Sequence, residues 1–536
     1  MDSQRMPRRV ASYRALTASR YPGRPGGGGG DPESRPELAD VGRLARRLMH
    51  RAVSAARAQD DQVRRLLHEH LGPSVAGIPV VSGSWPRYDH VNVQAGLDAW
   101  LGQRGREHDL MGLTGFRHMM FGLADLAQGV RRGPALGVGS VAMIALPSGP
   151  AGQTRPCVQC GLYLVSDAAA RMAVLLRGSD GRHGPSEDVS IEIVCADQSA
   201  AERTLDDIRR LAVERNVWRG HVVSFGGEVF GHDHGELLSF VDRPRLERSE
   251  VILPPEVLDG IERQVLGVAR FSDRLLASGQ HLKRGILLHG APGTGKTHTV
   301  RYLLGQLPGV TVMIISGSSL RLIAEACSVA RTLQPSMVVI EDVDLIAEER
   351  GSRMGQHPLL FELLNEMDGL GADIDVTFLL TTNRADLLEE ALAARPGRVD
   401  HAAELPLPDG EARRRLIQLY RGNLVLDLAD PEAVIARTEG VTASFLKELL
   451  RRAALVAAEE SAAGQEPAAG QEPAAEESAA GQQPAGADGP LRVTDSHLSA
   501  ALDQLLDSRN RLTRTLLGSH VEHGSDALIR PGRRHQ

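Results

Sequence analysis

Ile286-Leu-Leu-His289 runs directly into Gly290-Ala-Pro-Gly-Thr-Gly-Lys-Thr297, and His298 to Leu307 follows with helical spacing. The first four residues read as a buried strand, so the stretch is strand, Gly-rich turn and helix, the context that gives G-x-x-x-x-G-K-[ST] its meaning. Gly290, Gly293 and Gly295 let the loop, with Ala291, Pro292 and Thr294, turn its backbone N–H groups inward around a phosphate chain. The positive end of the following helix adds to the attraction. Lys296 is placed to reach the β- and γ-phosphates, and the Thr297 hydroxyl to ligate Mg²⁺. His298 closes the cradle in sequence, although a residue there more simply lies on the helix surface. Only Lys283, Lys296 and Lys447 are lysines among 61 basic residues, so a lysine inside this turn stands out from its background.

Downstream, Met337-Val-Val-Ile340 runs into Glu341-Asp342-Val343-Asp344. Four apolar residues suit a strand buried on both faces. Acids at its C-terminal end sit where open α/β sheets bind ligands. By position Glu341 serves the metal and Asp342 polarises the attacking water.

Working outward, residues 251–404 alternate strands (285–289, 310–316, 337–340, 376–381) with helical patterns, as a parallel sheet with crossover helices requires. Residues 405–507 read as a helical lid, all-helical to 455 and interrupted by an acidic insert at 459–490. In the insert Ala-Gly-Gln-Glu-Pro recurs at 463–467 and 469–473, a composition that builds no core. Upstream, residues 38–135 show apolar residues at helical spacing, with amphipathic stretches at 38–71 and 91–130. Residues 136–250 read as an α+β domain with strands at 138–146, 161–165, 172–176, 189–194 and 221–225 and a helix at 200–215. Residues 1–37, rich in Arg, Pro and Gly, and the polar tail 508–536 are expected to be disordered or loose.

Over 536 residues the formal charge is −7 and aromatics make up 3%. A chain of this length forms two or three folded units with aliphatic cores. The mild charge supplies no field for nucleic acid or an anionic membrane. No run approaches the roughly 18 to 20 apolar residues of a membrane span. The first residues lack the apolar core of a secretory signal, and four cysteines are too few for a disulfide scaffold. The expected setting is cytoplasmic.

Further segments match a known family in order. Leu363-Leu-Asn-Glu-Met-Asp-Gly369 resembles the helix after the acidic strand in AAA ATPases, and Thr381-Thr-Asn383 resembles their first sensor. Ala391-Leu-Ala-Ala-Arg395-Pro-Gly-Arg398-Val-Asp400 is similar to their arginine-finger segment, and Gly440-Val-Thr-Ala-Ser444 to the start of their lid helix. The resemblance covers about 251–507. It implies a P-loop NTPase fold with a helical lid, here preceded by an α+β N-terminal domain. It also implies ATP and Mg²⁺ as ligands, Asn383 as the group that holds the attacking water or γ-phosphate, and Arg395 and Arg398 as fingers reaching a neighbouring subunit. The chain is then expected to form a ring homo-oligomer, usually a hexamer, acting on a protein partner. Two features depart from the family. Its acids run Asp then Glu, whereas here they run Glu then Asp. The segment Gly317 to Ser336 is also short and holds no Phe, Tyr or Trp, although translocating members place a pore aromatic there. The reversed acids and the Arg-Pro-Gly-Arg-Val-Asp string are similar to the AAA proteins that assemble the Rieske subunit.

Cys157-Val-Gln-Cys160 has metal-ligand spacing, and Cys195, His183, His232 or His234 could complete a zinc site; ordinary thiols in a β-hairpin are the simpler reading. Arg413-Arg-Arg415 reads most simply as a solvated face of the lid. Two functions remain open: an ATPase that remodels a protein, or a nucleotide-dependent scaffold with slow hydrolysis and no threading. A small-molecule kinase has no need of Asn383, Arg395 or Arg398.

Overall fold

The computed structural model describes residues 62–114, 121–128, 137–168, 170–178, 188–226, 238–344, 358–369, 371, 374–385, 399–463 and 490–506. The chain divides into two compact units, 1–58 and 59–536, and every described residue belongs to the second. The readings for residues 1–37, most of the insert at 464–489, and the tail from 508 lie outside the described residues.

The first half is built on alternation. Its elements are helix α1 (62–71), β1 (Val80–Trp85), α2 (His90–Leu101), β2 (Glu107–Thr114), α3 (Leu123–Gln128), β3 (Gly137–Gly139), β4 (Ala142–Gly149), β5 (Gln153–Ser166), β6 (Arg171–Arg177), β7 (Val189–Cys195) and α4 (Gln198–Glu214). The strands form an antiparallel sheet in the order β1-β7-β6-β5-β2-β3, with β4 paired to the first half of β5. Side chains alternate across such a sheet. On β6, Met172, Val174 and Leu176 face α2 and α4, joining Val93, Leu97, Trp100, Leu205 and Ile208. Ala173 and Leu175 face α1 and α3, joining Val63, Leu67, Leu123 and Leu126. Gly96 lets α2 approach α4 closely, because a Cβ there would meet the Ala212 nitrogen at 2.7 Å.

Two strands interrupt the region read as helical at 38–135. Val80–Trp85 pairs with β7, and Glu107–Thr114 pairs with β5. Neither shows a helical stripe. The outer half of β2 is exposed, so its polar residues conceal the alternation that marks a half-buried strand.

Beyond α4, β8 (Val222–Phe225) and β9 (Leu238–Val241) leave this sheet and join the next one. There follow α5 (Pro255–Glu262), β10 (Arg284–His289), α6 (Lys296–Gly305), β11 (Thr311–Ile315), α7 (Ile323–Thr332), β12 (Ser336–Ile340), α8 (Pro358–Asp368), β13 (Val376–Thr382) and β14 (His401–Glu404). The strand order is β14-β10-β13-β12-β11-β8-β9, parallel except for β9. One face packs on α7 and α8 through Ile323, Ala326, Leu363 and Met367. The other packs on α5 and α6 through Ile261, Val300 and Leu303. The strand read at 221–225, assigned from sequence to the α+β region, therefore extends the parallel sheet: Val222, Val223 and Ser224 pair with Val312, Met313 and Ile314. Its apolar pattern shows a buried strand, and only the ladder shows which sheet owns it.

The lid consists of α9 (Gly410–Tyr420), β15 (Val425–Asp427), α10 (Pro431–Arg437), α11 (Ala443–Ala463), β16 (Arg492–Thr494) and α12 (Asp495–Leu506). Asp409 and Asp430 cap α9 and α10 by accepting from the Ala412 and Ala433 N–H groups. Phe445, Leu446, Leu449, Leu498 and Leu502 form its core. The stretch 405–455 is not wholly helical, since β15 pairs in parallel with β16. Nor is Arg413–Arg415 a uniformly solvated face. Arg413 is buried and donates to the Pro408 and Ile435 carbonyls, stapling α9 to α10, while Arg414 stays outside on Glu411 and Glu432.

Another arginine joins the two halves at α6. Arg243 donates to the carbonyls of Leu304 (2.6 Å), Gly220 (3.0 Å) and Val310 (2.8 Å), binding the C-terminal end of α6 to the starts of β8 and β11. Pro244 crosses Gly305 so closely that a Cβ on the glycine would lie 2.6 Å from the Pro244 oxygen. Arg243→Ala is expected to lower stability by about 2 kcal/mol, because three carbonyls lose a charged donor. Arg243→Lys should restore less than half, since a single ammonium does not span what the guanidinium fork spans. Urea unfolding of both variants measures the difference.

Candidate active site

The phosphate loop leaves the buried strand β10 between β13 and β14. Gly290, Gly293 and Gly295 adopt φ of 144°, 83° and 104°. Only glycine enters this region without steric cost. Two of the three are also crowded. A Cβ at Gly290 would lie 2.5 Å from the Leu405 oxygen, and one at Gly293 would lie 3.0 Å from the Ser444 and Thr442 side chains, whereas Gly295 faces open space. Ser444 N–H also donates to the Gly293 carbonyl at 3.2 Å, so the start of α11 rests on the loop. Thr294 closes the turn by donating from its hydroxyl to the Ala291 carbonyl at 2.9 Å.

Lys296 opens α6 and is buried, its ammonium donating to the Gly290 (2.8 Å) and Ala291 (3.0 Å) carbonyls. Burial holds its pKa below the usual lysine range, opposed by the carboxylates of Asp342 and Asp344. Beside it the Thr297 hydroxyl donates to Glu341 at the end of β12. Burial pushes the Glu341 carboxyl above its ordinary range; the Thr297 bond pulls it back, Asp342 raises it further and Arg301 lowers it.

The next residue turns sharply. Asp342 has φ +52°, uncommon for a residue with a side chain. Its N–H donates to the Thr381 hydroxyl at 3.1 Å, and the Asn383 amide donates to its Oδ1 at 3.3 Å. Thus β12 and β13, neighbours in the sheet, deliver Glu341, Asp342 and Asn383 to the same edge as the glycine loop.

The family model described as "ATPase family associated with various cellular activities (AAA)" matches residues 286–407. Those residues form an AAA domain. The chain is 34% identical over 213 residues to an ATP-dependent zinc metalloprotease FtsH of Nitrosococcus oceani, covering 37% of this chain and 33% of that protein. It is 35% identical over 210 residues to FtsH 2 of Symbiobacterium thermophilum, with 36% and 35% covered. Human "ATPase family gene 2 protein homolog A" is 31% identical over 234 residues, with 41% and 26% covered. The chain thus spans about a third or less of the length of the curated relatives it matches. No helix among the described residues is long and apolar enough to cross a membrane.

The AAA domain's donor set fits a nucleotide with Mg²⁺. Left-handed glycines, a helix N-terminus and one ammonium suit a phosphate chain. Thr297 and Glu341 supply two oxygens side by side. Two such oxygens suit an ion that keeps water and phosphate oxygens as most of its ligands.

Of the other sequence candidates, His298 directs its ring to the Glu250 carbonyl at 3.0 Å, leaving its backbone as its means of reaching a phosphate. Arg395 and Arg398 lie outside the described residues. Cys157 and Cys160 are buried thiols on opposite faces of β5, one in the core beneath the parallel sheet and the other in the core beneath α1 and α3. Burial pushes each up to about 12, and His183, His232 and His234 lie outside the described residues. Two contributors went unassigned in the sequence: Ser444 against Gly293, and the buried Asp344, which accepts from Thr382 and Asn383. An acid four residues past a buried strand's end is the available signal for Asp344.

The raised Glu341 pKa gives a sign for pH dependence. A metal held at Glu341 would need the ionised carboxylate, and this group takes up its proton at a higher pH than an ordinary glutamate does. Mg²⁺-dependent ATP affinity should therefore fall on acidification before the ordinary carboxylate range is reached. Glu341→Gln should start about ten-fold weaker and show less of that fall. Calorimetric titration of ATP with and without Mg²⁺ across pH measures both.

Proposed function

We propose that this chain is an AAA-type ATPase that binds Mg²⁺-ATP, hydrolyses it in a ring homo-oligomer, such as a hexamer, and uses the cycle to remodel a protein partner. The observation that carries this reading is the convergence at one sheet edge of Lys296, the Thr297–Glu341 pair and the Asn383–Asp342 pair. Lys296 shifts from the loop carbonyls to the β- and γ-phosphates. Thr297 and Glu341 hold Mg²⁺, which when bound neutralises charge on the phosphate oxygens. Asn383 orients water in line with the γ-phosphorus, and Asp342 takes its proton as the oxygen attacks. The bond from the γ-phosphorus to the bridging oxygen breaks, and its electron pair leaves with ADP. Arg395 and Arg398 of a neighbouring copy stabilise the charge that spreads over the transferred group.

A second reading, a nucleotide-dependent scaffold that hydrolyses slowly and threads nothing, draws on two observations. The acids run Glu then Asp, and only a short turn, Gly317–Leu322, separates β11 from α7.

Asp342→Asn is expected to keep ATP bound with near-normal affinity while slowing turnover at least about a hundred-fold, since only the proton acceptor is lost. Nucleotide retention after gel filtration, set beside steady-state rates, reads both. If Glu341→Gln traps ATP instead, the roles of the two acids are exchanged.

Mixing tests the ring. Arg395→Ala protomers and Lys296→Ala protomers, each inactive alone, should recover part of the activity when combined, because some intact loops then face intact arginines. A trans arginine contributes about 10³-fold or more in rate. Mixed assembly, confirmed by mass, without any recovered activity would count against arginines acting between subunits.

A further inference from the structure

The turn that carries the acidic pair is fastened to the end of β13, and Asp344, which accepts two of the hydrogen bonds between them, has no part in the chemistry described above. Asp344 is only 8% exposed. Its Oδ1 accepts from the Thr382 hydroxyl at 2.9 Å and from the Asn383 N–H at 3.2 Å. On the other side of the same turn, the Val343 N–H donates to the Thr381 carbonyl at 2.9 Å and the Asp342 N–H to the Thr381 hydroxyl. The Asn383 amide then reaches Asp342 Oδ1 and closes the circuit.

Two physical facts give this circuit a purpose. A carboxylate is costly to bury unless it is hydrogen-bonded, and the two bonds found here both come from the residues that end β13. A non-glycine residue held at φ +52° persists where its surroundings over-determine it. Asp342 is a methylene shorter than glutamate, so its reach depends on where the backbone aims it. An apolar residue at 344 could fill the same space, yet it would leave the Thr382 hydroxyl and the Asn383 N–H without their acceptor.

We propose that Asp344 is a positioning residue for ATP hydrolysis: its carboxylate fixes Asn383 and, through the Asn383 amide, the aim of Asp342 at the attacking water. This rests on the roles given above to Asn383 and Asp342. Asp344 is buried, and its effect passes through one named side chain.

The test compares full-length Asp344→Ala, Asp344→Asn, Asn383→Ala and the double variant Asp344→Ala/Asn383→Ala, measuring kcat, KM and equilibrium ATP affinity. Asp344→Ala should lower kcat about ten-fold or more and leave ATP affinity within about two-fold. Asp344→Asn keeps an oxygen acceptor in place and should recover most of the rate. The double variant should be no slower than Asn383→Ala by more than about two-fold, because both changes remove one device. Losses that multiply in the double variant would overturn the proposal. So would an Asp344→Ala loss that appears in affinity alone. Asn383→Ala with wild-type kcat would overturn the underlying role of Asn383, an outcome read on the single variant and so distinct from multiplied losses. If Asp344→Ala does not fold, Thr382→Val takes its place. It removes the hydroxyl that binds Asp344 and also accepts from the Arg384 N–H. Its loss must likewise vanish in the Asn383→Ala background, and persistence there overturns the proposal.

Discussion

The left-handed backbone of residues 290–295 is the constraint on which the rest of the site depends. A loop that turns its N–H groups inward must pass through φ values that side chains resist, and glycine occupies each such position here. The turn is wedged as well as permissive. The Leu405 carbonyl backs Gly290, and the side chains of Thr442 and Ser444 back Gly293. The lid is therefore built directly onto the loop, and a change in one is felt by the other through van der Waals contact. At the far end of α6, Arg243 and Pro244 hold the helix C-terminus against β8 and β11. The helix that follows the glycine loop is thus anchored at both ends by segments outside the motif.

Charge is arranged around this loop in a lopsided way. Lys296 is a buried ammonium near the carboxylates of Asp342 and Asp344, with Glu341 close to Asp342. Burial disfavours the charged forms of Lys296 and Glu341 alike. Electrostatic stabilisation is strongest where preformed charges sit away from water, so a site that pays for such burial is suited to a ligand carrying phosphates and a cation together. The turn of Asp342 adds a second economy: the backbone, rather than side-chain length, decides where the carboxylate points.

The N-terminal half is continuous with this machinery. β8 and β9 extend the parallel sheet, and Val91 and Cys157 lie in the same apolar cluster as Phe378 and Leu380 of β13. Shared core packing leaves little room for the two sheets to move independently. Ladder hydrogen bonds are directional, and interiors are close-packed.

The glycine loop, the acidic strand end and Asn383 were legible in the sequence because each depends on a local rule: a special φ, a buried run ending in acids, a strand end. The strands at 80–85 and 107–114 were hidden, since exposed or mixed faces blur the period that identifies a strand. Arg413 looked solvated beside Arg414, because a charge run does not reveal which member finds carbonyls to bind. The sequence by itself determined which residues could cradle a phosphate and which acids stood near it. Only the tertiary structure decided that β8 belongs to the parallel sheet, that Ser444 meets Gly293, and that Asp344 secures Asn383. These contacts join residues far apart along the chain, and local propensity carries no information about which distant backbone group will arrive to accept or donate a hydrogen bond.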